Sequence, residues 1–104
     1  MKHHEQIDAR SLAMARKIVE KIDRDPSRSG LAHARTTCER WHRNLDAAAT
    51  AEWLGILQKP WEEIREILLD ESEEGSRLRQ SDPFCGILTR QERLEIYREY
   101  SETN

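Results

Sequence analysis

Cys38 and His42 stand four residues apart, and His33 precedes Cys38 by a little more than one helical turn. Residues at i and i+4 share one face of a helix, so a thiolate and an imidazole at this spacing could both reach one metal ion. A tetrahedral site needs further ligands from elsewhere, for which Cys85 and the pair His3 and His4 are candidates. The same pair could act as nucleophile and base, yet nothing else in the chain supports that reading. Cys38 also falls on an apolar stripe with Leu31, Ala34, Trp41 and Leu45, spaced by three and four. The sequence therefore reads it first as a packed thiol with a histidine at the rim, and assigns no catalytic residue, metal or cofactor.

Other chemistry is limited by what the chain lacks. Gly30, Gly55, Gly75 and Gly86 are too far apart for a glycine-rich phosphate loop, and GxSxG, HExxH and CxxC do not occur. The carboxylates come in runs such as Glu62, Glu63, Glu66 and Asp70, a pattern expected on a solvated helix face, where they stay ordinary acids.

Charge is the more informative signal. The net charge is -3, but residues 10–43 sum to +5 and residues 62–74 to -6. Arg24, Arg28, Arg35, Arg40 and Arg43 could line a basic helical face for nucleic acid, and two short helices joined by a turn could imitate a helix-turn-helix. The sequence pI of about 5.8 argues against a dedicated DNA binder. A second cluster lies in "RLRQSDPFCG", where Arg77, Arg79 and Phe84 are of the types that anchor protein interfaces. Phe84, Ile87 and Leu88 are apolar enough to tuck onto a small core, which would leave the two arginines to face a partner.

Helices must position these groups. An apolar stripe runs through residues 7–22, and "DRDPSRSG" interrupts it, with Asp25 as a candidate N-cap and Pro26 as a first-turn residue. The Leu31 to Leu45 stripe follows, then a segment from Asp46 burying Trp53, Leu54 and Leu57. Next comes a helix restarted by Pro60 with Trp61, Ile64, Ile67 and Leu68 on one side. In residues 70–82 only Leu78 is apolar, which predicts a short, weakly anchored helix. Thr89 and Glu92 have the spacing of a capping box and open a last helix expected to bury Leu94 and Tyr97, with Tyr100 on the same side. No segment alternates like a strand. Trp41, Trp53 and Trp61 all fall at apolar helical positions and are expected in the core.

The expected fold is all-α, a compact irregular or orthogonal bundle of five to six short helices forming a single helical domain over residues 1–104. No apolar run is long enough to cross a bilayer and no export signal is visible, so the expected setting is cytoplasmic, with Cys38 and Cys85 as free thiols and no membrane partner. The expected function is a small non-enzymatic protein-interaction or regulatory module acting through charged surfaces on another protein or on a second copy of itself as a homodimer. The alternative is a DNA- or RNA-binding helical regulator using residues 10–43. A further alternative is an antitoxin or inhibitor subunit whose acidic segment 62–74 imitates nucleic-acid phosphates.

Overall fold

The structure, a computed structural model, describes residues 3–45, 48–84 and 86–100, and every regular element among them is a helix. In chain order these are α1 (His3–Asp23), α2 (Ser29–Leu45), α3 (Ala48–Ile56), α4 (Trp61–Leu68), α5 (Glu73–Arg79) and α6 (Arg90–Glu99). This is the all-helical bundle that the 3.6-residue periodicity implies. None of the helices is long and apolar enough to cross a membrane.

α1 is the central element and packs against α2, α4, α5 and α6. It buries Ala15, Ile18, Val19 and Ile22, residues three or four apart and hence on one face. α2 contributes Leu31, Ala34 and Cys38, and α4 contributes Trp61, Ile64 and Leu68. Trp53 of α3 and Phe84 of the loop before α6 are each 0% exposed and belong to this same core cluster. The expectation for the three tryptophans needs one correction. Trp41 is only half-buried, because it lies near the end of the α2 stripe where less of the bundle covers it.

The turn between α1 and α2 differs from its sequence reading. Asp25 does not start a helix at Pro26. Its carboxylate instead accepts the Ser27 amide at 3.0 Å and the Ser29 amide at 2.9 Å, so it caps a helix that begins later. The Leu31 and Ala32 amides donate to the Arg28 carbonyl, which makes Arg28 the residue immediately before α2, with a positive φ of 54°. That left-handed backbone is costly for a residue with a Cβ. The Arg28 side chain offsets it by donating Nη1 to the Ile22 carbonyl at 3.0 Å and, more weakly, to those of Asp23 and Asp25, satisfying the end of α1.

α5 is short but firmly anchored, contrary to expectation. Ser72 caps it by accepting the Gly75 amide, and Gly75 packs so tightly that a Cβ there would clash with the Asp70 carbonyl oxygen. α6 opens with the predicted capping box, but contrary to expectation it fully buries none of its residues, and Tyr97 is 43% exposed. The Glu92 amide donates to Thr89 Oγ1 at 3.1 Å and the Thr89 amide donates to Glu92 Oε1 at 2.8 Å. Lys21 of α1 donates to the same Glu92 oxygen at 2.8 Å and to the Ile87 carbonyl at 2.9 Å, which fastens the start of α6 to the bundle.

Candidate functional site: two charged faces and a cavity

The basic segment is largely consumed by the fold. Arg24 pairs with Glu20 at 3.4 Å, Arg28 caps α1, and Arg35 donates Nε to the Leu57 carbonyl at 3.1 Å, closing the end of α3. Arg40 and Arg43 are different. They lie three residues apart on the last turns of α2, are exposed, and make no hydrogen bond or ion pair among the described residues. Of the five arginines considered for nucleic acid, these two are left to solvent.

The acidic segment divides in the same way. Glu71 pairs with Arg16 at 3.6 Å, and Glu74 shares Arg77 with Glu52. Hydrogen bonds from Arg77 hold the Glu52 and Glu74 carboxyls below the usual range, and those carboxylates in turn raise the Arg77 guanidinium above its own. Arg65 of α4 reaches back to Asp23 at 3.0 Å. The Trp61 indole donates to the other oxygen of that carboxyl at 2.8 Å and is the main reason it stays ionised to lower pH than usual. Glu62, Glu63 and Glu66, at helical spacings of three and four on α4, are exposed and have no partner among the described residues.

The cluster drawn from "RLRQSDPFCG" is not a surface. Arg77 is exposed, but Arg79 is 6% exposed and Phe84 is 0% exposed, so neither faces outward beside it. Arg79 donates Nε to Ser11 Oγ at 3.1 Å and Nη1 to the carbonyls of Leu68, at 3.2 Å, and Asp70. It satisfies the end of α4 and ties it to α1. Spacing alone carries no sign of this role, because an arginine on a seven-residue helix looks like surface.

Cys38 is buried and donates Sγ–H to the Thr50 carbonyl at 3.4 Å, and burial pushes its thiol above the ordinary value. His42 meets Thr50 through Nδ1 and Oγ1 at 3.2 Å. Both groups therefore join α2 to α3, and no set of three metal-ligating side chains occurs among the described residues. Cys85 and the side chains of His3 and His4, the other ligand candidates, lie outside the described residues.

One concave feature gathers charges that sequence reasoning missed. A cavity of about 330 Å³ lies between α1, the loop before α6 and α6, lined by Arg10, Arg79, Asp82, Arg93 and Tyr97 over an apolar base. Arg10 stacks on the Tyr97 ring, 4.7 Å from its centroid. Asp82 accepts the Phe84 amide at 2.9 Å, and burial pushes its carboxyl up to about 6 despite that bond and the charge of Arg79. These residues come from positions 10 to 97, and nothing local in the sequence links them. Comparison of the chain with protein-family models, with curated proteins and with solved structures returned no match.

Proposed function

We propose that this chain is a non-enzymatic protein-interaction module that meets its partner through charged faces. The observation that carries the reading is the run of exposed carboxylates on α4. Arg16, Lys21, Arg65 and Arg77 are used inside the fold, while Glu62, Glu63 and Glu66 on α4 and Arg40 and Arg43 on α2 are exposed with no partner among the described residues. Rigid helices presenting unpaired charge of one sign give steering and specificity towards a surface of the opposite sign. The α4 face suits a basic partner, which is the form an antitoxin or inhibitor subunit would take.

The test is recovery of a stoichiometric protein partner by a tagged chain from its native host, compared with a Glu62→Lys/Glu63→Lys/Glu66→Lys variant. Support is a partner retained at low salt by the parent and lost by the variant. Retention of the same partner by the variant would remove α4 from the interface, and a chain that elutes alone at every salt concentration would sink the reading.

A second reading rests on Arg40 and Arg43, which are free to contact phosphates. Retardation of random duplex at low salt that vanishes in Arg40→Glu/Arg43→Glu would favour it. Two arginines in an acidic chain predict weak, strongly salt-dependent binding.

A further inference from the structure

The cavity between α1, the loop before α6 and α6 holds opposite charges that form no direct ion pair with one another: Arg79 acts on Asp82 only through space. Its apolar wall includes Ile7, Met14, Ile18 and Leu88. Arg79 uses Nε and Nη1 on Ser11, Leu68 and Asp70, which leaves Nη2 without an acceptor among the described residues. Arg10 is fixed by the Tyr97 ring, and its guanidinium makes no hydrogen bond among them. Asp82 takes one amide at Oδ1, and its Oδ2 is unpartnered there. Neither arginine forms an ion pair with Asp82 although all three line one space.

Unneutralised charge beside an apolar wall is costly unless something complementary comes to it. The elevated Asp82 carboxyl expresses that cost on the acidic side. A simple anion would satisfy the arginines and set its own charge against Asp82. A simple cation would do the reverse. A ligand carrying both charges and an apolar group relieves all three demands at once.

We propose that this cavity binds a small zwitterion with an apolar side chain, an apolar α-amino acid being the class that fits. Its carboxylate lies on Arg10 and Arg79, its ammonium on Asp82, and its side chain against Met14, Ile18 and Leu88. The Arg10 guanidinium presents parallel N–H groups suited to a carboxylate, and Arg79 adds its remaining Nη2. At about 330 Å³ the space is at the small end of ligand sites, which run from roughly 300 to 1,000 Å³, and matches one amino acid better than a peptide. The site shares no residue with the faces of α2 and α4, so it stands or falls separately from the interaction reading.

The experiment is a titration of the full chain at pH 7.5, followed by backbone amide NMR, with three probes. These are L-leucine, 4-methylpentanoate, which lacks the ammonium, and L-leucinamide, which lacks the carboxylate. The expected result is saturable shifts with leucine centred on Ser11, Gln80, Leu88 and Tyr97, and about tenfold or greater weakening with each analogue, the usual consequence of losing a charged hydrogen bond. Arg10→Gln, at a half-buried position, weakens leucine and leaves leucinamide unchanged. Asp82→Asn weakens leucine and spares 4-methylpentanoate. Leucine that fails to saturate in the millimolar range, or shifts scattered over the surface, overturns the proposal. So does 4-methylpentanoate binding as tightly as leucine, which would make the cavity an anion site. If Asp82→Asn does not fold, the leucine and leucinamide comparison on Arg10→Gln decides the matter.

Discussion

Trp53 meets Phe84 edge to face, with ring centroids 6.0 Å apart and planes inclined at 74°. The same indole donates Nε1–H to the Leu78 carbonyl at 3.0 Å, so one side chain of α3 holds both the end of α5 and the loop that follows it. Phe84→Ala removes a fully buried ring and should cost about 3–5 kcal/mol of stability. Phe84→Leu loses mainly the edge contact and some volume, and should cost about 1–2 kcal/mol. Denaturant unfolding followed by tryptophan fluorescence measures both, and an unchanged midpoint for the alanine variant would contradict the tucked loop.

Two arginines separated by one residue should behave oppositely. Arg79→Met leaves the carbonyls of Leu68 and Asp70 short of a donor in the interior and is expected to cost about 3 kcal/mol or more. Arg77→Met breaks only exposed ion pairs with Glu52 and Glu74 and should melt close to the parent, with what difference there is shrinking as salt is added. Thermal melts of the two variants side by side provide the comparison.

Asp82 gives a pH signature. Its folded-state carboxyl titrates near 6, above the 3.8 of an unperturbed aspartate, so the folded chain binds more protons than the unfolded one between these values. The ionised group is therefore destabilising above pH 6, and that cost fades as pH falls towards 4. Asp82→Asn can still accept the Phe84 amide. It should be more stable than the parent by about 1–3 kcal/mol at pH 8, with the advantage gone near pH 4. An advantage that does not change with pH would place its cause elsewhere.

The Cys38 thiol should resist alkylation in the native chain. It is 0% exposed, bonded to the Thr50 carbonyl and shifted upward by burial, so thiolate is scarce and access is blocked. Brief iodoacetamide treatment followed by peptide mapping should leave the Cys38 peptide unmodified until denaturant is added. Fast native labelling would show that α2 and α3 separate readily.

Legibility in the sequence followed the range of the interaction. The capping box at Thr89 and Glu92 was readable because both partners lie within one turn, and the apolar stripes of α1, α2 and α4 were readable because periodicity reports a buried face. The start of α2 was misplaced because Asp25 and Pro26 imitate a cap, whereas the amides that Asp25 serves are those of Ser27 and Ser29. Arg79 and the cavity were invisible for a different reason. Ser11 is 68 positions from Arg79, and the pairing of an arginine with distant backbone carbonyls leaves no pattern in composition or spacing.

The position of α1 at the centre of the bundle has a consequence for synthesis. Its buried face is covered by α2, α4, α5 and α6, and the tie from Lys21 to Glu92 spans 71 positions. On a ribosome, α1 would leave the exit tunnel long before the helix that completes its cover. The nascent chain carries an exposed stripe of Ile18, Val19 and Ile22 until the later helices emerge to cover it, and during that interval a chaperone or an assembling partner would find an adhesive surface.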